Sequence, residues 1–302
     1  MRTIDALEKD ILLQVQSLSK FHPQPVLNIT HQKNSVFCGS GDSLAACMLA
    51  QAFSDYKTKA ADPLDLLKNK PIPKNNNVYI ISISGRTISN IKVAKLARKS
   101  IAITSNPDSK LGKACNKIIH LKFPNSDVVT AGTISFLESA LTCISLVHHF
   151  KISNVDKIFN AAVTAGKKVK LQNRIFFLGN MHTYPVAMYA AAKLYEILGL
   201  EAYYERLEQF SHMELFSAKK GDTVVILEEK TPHNAQLARN LKKIGLNVIH
   251  PDPKSKNKIT QFLFYTFLAQ LVPLLMAKKK RQKDCHFVMA KKLRKASDNM
   301  IY

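Results

Sequence analysis

From residue 34 onward the chain alternates between short apolar runs and stretches whose apolar residues recur every three or four positions. Asn34–Cys38 is an apolar run, followed by a Gly-Ser-Gly-Asp-Ser turn and a helical periodicity over Leu44–Tyr56. Val78–Ile83 reads as a strand, Ile88–Lys99 as a helix, and Ile101–Thr104 and Lys117–Leu121 as further strands; Thr133–Phe150, rich in Leu, Ala and Cys, reads as a long helix. Apolar runs of this length, each followed by a polar turn and then a helix, are the signature of a parallel sheet covered on both faces. The fold class is therefore α/β.

The same plan starts again about 140 residues later, a usual domain size. Val155–Lys170 is helical, Arg174–Leu178 is a strand, Val186–Leu198 a helix, Thr223–Leu227 a strand, Asn234–Ile244 a helix, Asn247–Ile249 a strand and Ile259–Ala277 a closing helix. The openings VFCGSGDSLAACMLAQAF and IFFLGNMHTYPVAMYAAAKL share one order: apolar strand, glycine, polar loop, helix of small residues. This predicts a duplicated α/β unit. The expected divisions are an N-terminal helical segment over 1–30, a first domain over 31–152, a second over 153–277, and a basic C-terminal tail over 278–302.

Composition narrows the picture. Five cysteines, with no C-x-x-C spacing, argue against a disulfide framework or a structural zinc site and point to reduced thiols in a cytoplasmic protein, with Cys47 and Cys143 in helix cores. The first twenty-one residues mix acids with apolar residues and read as an amphipathic helix rather than a signal peptide. Ile259–Ala277 is long enough to raise a membrane question, but it holds Gln261, Gln270 and Pro273 and is read as a buried core helix, with no membrane partner expected. The formal net charge of +22 attracts anions, whether polymeric or small. The basic residues are mostly dispersed, densest at Lys278–Arg281 and Lys291–Lys295, and no nucleic-acid-binding signature accompanies them, so a solvated basic surface is the preferred reading over a nucleic-acid partner. His148 and His149 are adjacent on the expected long helix and face different ways, so no metal site is expected there.

The chemistry lies in the loops. Ser82, Ser84, Gly85 and Thr87 follow a strand and open a helix, where hydroxyls and unpaired helix N–H groups suit a phosphate. The same residues would also serve as a simple helix cap. Gly39-Ser40-Gly41-Asp42-Ser43 and Thr130-Ala131-Gly132-Thr133 are two further loops of this composition, and three in one domain favour an oxyanion cradle over unrelated caps. There is no Walker lysine motif and no G-x-G-x-x-G, which argues against a nucleotide at these loops; no cofactor is expected.

Strand–GSGDS–helix, strand–SISGRT–helix and TAGT–helix in that order resemble the sugar isomerase (SIS) domain family, whose serine-rich S-x-S-G-x-T loop is matched by Ser82, Ser84, Gly85 and Thr87. The segment FLGNMHTYPVAMYAAAKLYEI is similar to the second domain of the isomerase half of glucosamine-6-phosphate synthase, and the first loops also resemble archaeal phosphoglucose/phosphomannose isomerases. The resemblance covers roughly residues 30–300 and implies two tandem flavodoxin-like domains, a phosphosugar ligand held by Gly41, Ser43, Ser82, Ser84, Thr87 and Thr133, and a homodimer with shared sites. It further implies Glu196, in Lys193-Leu194-Tyr195-Glu196, as the base moving a proton between C1 and C2; His212 as the group assisting ring opening; and Lys295 as a tail lysine over the sugar, with Lys291 and Lys292 as neighbours in competition for that role. Without the resemblance, Glu196 would read as an ordinary surface glutamate and His212 as a surface histidine. Ile134 stands where synthases carry a lysine, and Tyr189 where they carry an acid. A glutaminase domain has no counterpart ahead of these modules, so glutamine-dependent amino transfer is not expected. The expected activity is aldose–ketose isomerisation of a hexose or hexosamine 6-phosphate through an enediolate. The alternatives are glucosamine-6-phosphate deamination, a non-catalytic phosphosugar-binding regulator, and a polyanion-binding protein.

Overall fold

The computed structural model describes all 302 residues and holds two parallel β-sheets with helices around them. Helix α1 spans Thr3–Ser19 and α2 Ile29–Lys33. The chain then runs β1 (Ser35–Cys38), α3 (Asp42–Phe53), β2 (Lys59–Ala61), α4 (Pro63–Lys68), α5 (Pro71–Asn75), β3 (Asn77–Ile81), α6 (Ile88–Leu96), β4 (Lys99–Thr104), α7 (Lys110–Ala114), β5 (Lys117–His120) and α8 (Ile134–Ser145). It continues with α9 (Val155–Gly166), β6 (Ile175–Leu178), α10 (Tyr184–Leu198), β7 (Ala202–Glu205), α11 (Leu207–His212), β8 (Thr223–Ile226), α12 (Pro232–Lys243), β9 (Asn247–Ile249), α13 (Lys258–Lys279), α14 (His286–Met289) and α15 (Lys291–Ile301).

The sheets have the orders β2-β1-β3-β4-β5 and β7-β6-β8-β9, all neighbours parallel. The first is the flavodoxin-like order, and the second repeats its first four places. Each sheet therefore reverses its direction of growth at one point, between β1 and β3 in one and between β6 and β8 in the other. The chain forms two compact units. One, here the first-sheet unit, comprises Lys20–Asn125, Gly132–Lys151 and Ala290–Tyr302; the other, the second-sheet unit, comprises Met1–Ser19, Ser126–Ala131 and Ile152–Met289.

In the first-sheet unit, β1 and β3 are buried on both faces, as their unbroken apolar runs require. Val36, Cys38, Val78 and Ile80 meet Leu66, Val93 and Leu111 on one face, while Phe37 stacks on Tyr79 on the other at 4.9 Å between centroids. Cys47 and Cys143 are fully buried on α3 and α8, and all five cysteines are free thiols. In the second-sheet unit, Phe176, Leu178, Val224 and Ile226 pack with Phe210 and Leu241. Helix α13 packs against α1, α9 and α10, and 83% of its apolar window is buried. Its glutamines have partners: Gln270 Nε2 donates to Gln14 Oε1 at 3.1 Å and to Tyr189 Oη at 3.0 Å, and Gln14 Nε2 returns a bond to Gln270 Oε1 at 2.7 Å. A core helix can keep such groups because each finds a partner inside.

Several expectations differ in detail. Strands β2 and β7 carry no apolar run long enough to signal them; they form because β1 and β6 offer them a parallel edge. The long helix expected to Phe150 stops at Ser145, whose hydroxyl turns back to the Thr142 carbonyl at 2.8 Å. His148 and His149 consequently lie in the turn beyond α8 rather than on the helix, and His148 sits against the Phe53 ring. Residues 278–302 are largely helical, in the end of α13, α14 and α15.

Candidate functional site

In the first-sheet unit the loops after β1 and β3 flank the point where the strand order reverses, the crevice in which open α/β sheets bind ligands. The N-termini of α3, α6 and α8 belong to Gly41, Thr87 and Thr133, and none of these receives a side-chain cap. Elsewhere in the same unit Asn28, Asp62 and Ser109 cap α2, α4 and α7 through side-chain oxygens. The helix-cap reading of Thr87 and Thr133 is therefore not what the structure shows. The N-termini of these three helices thus carry no side-chain acceptor, an arrangement suited to an anion, although in α3 the Ser43 and Leu44 N–H groups turn to the Ser40 and Gly41 carbonyls at 3.1 and 2.9 Å.

Geometry around the glycines shows how these loops are shaped. Gly41 has φ +57°, and a Cβ there would meet nothing within 4 Å, so space opens beside its backbone. Gly85 has φ +62°, and a Cβ there would lie 2.0 Å from Ser109 Oγ. The Ile83 carbonyl accepts from Thr104 Oγ1 and Ser105 Oγ, each at 3.0 Å, and the Gly85 carbonyl accepts the Leu111 N–H at 3.1 Å. The 82–87 turn is thus pinned from the β4–α7 side. Gly132 lies against α3, where an added Cβ would come within 2.6 Å of Asp42 Oδ2, so the first and third loops touch. Ser82 is buried, Ser43, Ser84 and Thr87 are half-buried, and Arg86 is exposed, its guanidinium 5.4 Å from the Tyr302 ring centre. Thr133 is 2% exposed, and its hydroxyl has no hydrogen-bond partner. Arg86 stands inside the S-G-R-T motif but was given no role from sequence; it adds a cation to the loop.

The corresponding crevice of the second-sheet unit, between β6 and β8, is filled from within. The Glu228 carboxylate accepts the Asn180 N–H at 2.7 Å and the Thr183 hydroxyl, occupying the loop with the chain's own anion. Burial pushes the Glu228 carboxyl up, against the lowering effect of these two donors. Beside it His182 Nε2 pairs with Gln261 Oε1 at 2.8 Å; because Gln261 Nε2 donates to the Ser255 carbonyl, its Oε1 accepts, and the histidine nitrogen donates. Burial lowers the His182 pKa to about 4, with Lys258 acting in the same direction, so the imidazole is neutral at physiological pH. Neither residue had been singled out from sequence; Glu228 lies forty-eight positions from Asn180, and no local pattern joins them.

Glu196 and His212 belong to the second-sheet unit, whereas Lys295 and the loop residues belong to the first. Glu196 lies on α10 and pairs with Lys193, whose side chain is fully buried and whose ammonium lies 4.8 Å from the Tyr189 ring centre. A buried ammonium requires such a partner, so Glu196 has a structural duty whatever else it does. His212 ends α11 exposed, with Nε2 3.2 Å from Glu208 Oε1. Lys295 is exposed on α15. Ile134 is buried at the start of α8, and Tyr189 is fully buried.

No protein-family model matches the chain, and its sequence matches no curated protein. Solved structures do match its fold. Glucosamine-6-phosphate deaminase from Thermotoga maritima is similar with a TM-score of 0.77 at 19% identity, over 91% of this chain and 95% of that one. The C-terminal domain of glucosamine-fructose-6-phosphate aminotransferase from Francisella tularensis gives 0.70 at 15% identity, over 90% and 94%. Tagatose-6-phosphate ketose/aldose isomerase from Escherichia coli gives 0.65 at 17% identity, over 92% and 88%. At these identities the likeness establishes the fold: the chain has the α/β architecture of phosphosugar isomerase-type proteins along nearly its whole length.

Proposed function

We propose that this chain is a phosphosugar-binding enzyme that interconverts the aldose and ketose forms of a hexose or hexosamine 6-phosphate. The observation that carries the reading is the set of three uncapped helix N-termini at Gly41, Thr87 and Thr133, two of them flanking the sheet's reversal point. The phosphate would be held there by backbone N–H groups with Ser43, Ser82, Ser84 and Thr87. Thr133 is the sixth residue assigned to the cradle with Gly41, but its hydroxyl is buried, so its share of binding requires that its loop open. The Glu196 carboxylate would take the C2 proton of the open-chain aldose, leaving an enediolate, and return it to C1. His212 would carry the ring-oxygen proton and Lys295 would stabilise developing negative charge on oxygen. The protein would act as a cytoplasmic homodimer, which sedimentation can test.

Purified protein incubated with glucose, mannose, fructose and glucosamine 6-phosphates should convert one of them. Failure on all four by correctly folded protein refutes the enzymatic reading. Glu196→Gln should abolish turnover in protein that circular dichroism shows to be folded, a control needed because the amide loses the base and also the charge paired with buried Lys193; an unchanged rate removes Glu196 from the chemistry. The fold match to a glucosamine-6-phosphate deaminase over 91% of the chain supports a second reading. Ammonia release from glucosamine 6-phosphate separates it from isomerisation.

A further inference from the structure

We propose that the second-sheet unit carries a second ligand site, a cleft at the carboxyl end of β9 that takes an organic oligophosphate of nucleotide size. The proposal does not depend on the phosphosugar reading, because it concerns other residues, in the other unit. The cleft has a cavity volume of about 910 Å³, at the upper end of the range for small-molecule sites. It lies at the sheet's β9 edge, away from the reversal point between β6 and β8 that Glu228 fills.

One wall is a single face of α9. Lys157, Asn160, Ala161, Thr164 and Ala165 recur at the three- and four-residue spacing of one helix stripe, and all of them line the cleft, joined by Lys168 from the turn that follows α9. The facing wall is the loop after β9, with His250, Asp252 and Lys254, and Lys230 from the turn after β8 joins it. Four lysines therefore share the cleft with one carboxylate, and that carboxylate already accepts the Lys254 N–H at 2.8 Å. None of the four lysines is in an ion pair. Like charges gathered around a concavity raise its positive potential and favour an anion inside it.

The dimensions select the kind of anion. Lys157 lies in the first turn of α9 and Lys168 in the turn just past its end at Gly166, so about 13 Å of helix axis, from Lys157 to Gly166, lies between them. A single phosphate cannot meet both, whereas a chain of phosphates attached to an organic body can. The body has a place to lie: Ile158, Ile249 and Phe264 line the cleft, and Ala161 and Ala165 leave room above the helix. His250 is fixed at its edge, because Nε2 donates to the Glu228 carbonyl at 2.9 Å and so carries the proton. Burial lowers its pKa, leaving Nδ1 an acceptor for a ligand hydroxyl or amine.

Calorimetric titration of the full chain with adenosine triphosphate and, separately, inorganic tripolyphosphate tests this at near-physiological salt, where dispersed surface charge is screened beyond about 8 Å. One nucleotide should bind per chain, about tenfold more tightly than tripolyphosphate, because the apolar floor contributes. Lys157→Glu with Lys168→Glu should weaken nucleotide binding at least about tenfold, whereas Lys242→Glu with Lys243→Glu, the same charge change on α12, should alter it less than about twofold. Ala161→Phe, which fills the floor without touching charge, should weaken the nucleotide about fivefold and tripolyphosphate hardly at all. Should the glutamate pair at 157 and 168 misfold, the corresponding glutamines serve in its place. Equal losses from both lysine pairs would reduce the binding to the general field of the protein and overturn the proposal. Tripolyphosphate binding as tightly as the nucleotide would overturn the organic ligand, and no binding below about 1 mM would overturn the site.

Discussion

Gly85→Ala is the substitution whose cost the structure specifies most fully. The residue has φ +62°, a conformation that costs a non-glycine residue about 1–2 kcal/mol. The new methyl would lie 2.0 Å from Ser109 Oγ and 2.5 Å from Ser109 Cβ, too close for a change of rotamer alone to relieve. Ser109 must move, yet its hydroxyl caps α7 by accepting the Gly112 N–H at 3.2 Å, a contact whose loss costs about 1 kcal/mol. The bond from Leu111 N–H to the Gly85 carbonyl joins the same two segments and is worth about 1 kcal/mol more. Local stability should therefore fall by about 3 kcal/mol, which speeds native-state hydrogen exchange of the Leu111 and Cys115 amides about a hundredfold. Sugar-phosphate affinity should fall with it, because the 82–87 turn loses its shape. Adding Ser109→Gly removes both clashing atoms and leaves the φ cost, so in that background Gly85→Ala should cost only about 1 kcal/mol. The same cost with and without Ser109, or one below about 1 kcal/mol in either, would refute the packing argument.

Further outcomes follow from the buried polar groups. Thr133→Val replaces an unpartnered buried hydroxyl with a methyl of similar shape and should raise the denaturation midpoint of the free protein, by about 1 kcal/mol; a loss of stability would mean that the hydroxyl has a partner in solution. His182 binds fewer protons folded than unfolded between its folded pKa of about 4 and the ordinary value near 6.5. Stability should therefore fall as pH drops through that window, by about 3 kcal/mol from this residue, and His182→Asn should flatten that part of the urea-denaturation profile. Glu228 acts with the opposite sign: its raised pKa favours the folded state at low pH, a contribution lost as pH rises through the folded value. Glu228→Gln keeps an acceptor for Asn180 and Thr183 and should be at least as stable as the parent at pH 8.

The crevice between β6 and β8 and the one between β1 and β3 show how two copies of a plan can diverge. Both follow the same strand order, and in both a loop opens a helix of small residues. In both the helix that follows lacks a side-chain cap, but in one the Glu228 carboxylate lies in the loop, accepting the Asn180 N–H and the Thr183 hydroxyl, and in the other no carboxylate caps the helices at Gly41 and Thr87. The distinction matters for any ligand, because a site already holding a carboxylate repels a second anion.

The alternation of apolar runs and helical periodicities was enough to indicate the α/β class and buried parallel strands, because periodicity and unbroken apolar runs are properties of single elements; which strands pair, as Ile175 with Thr223, was decided by the fold. The hydroxyl-and-glycine loops were legible because Ser82 to Thr87 are contiguous. Strands β2 and β7 were not, since their formation depends on the edges of β1 and β6 rather than on their own composition. Residue types alone could not tell a cap from an uncapped terminus at Thr87, nor show that Thr133 turns its hydroxyl inward, that Lys193 is buried against Glu196, or that Glu228 closes a loop forty-eight residues away. Those facts were decided by packing. A hydrogen bond or an ion pair is set by where two groups end up in space, and for groups distant in sequence only the folded chain determines that position.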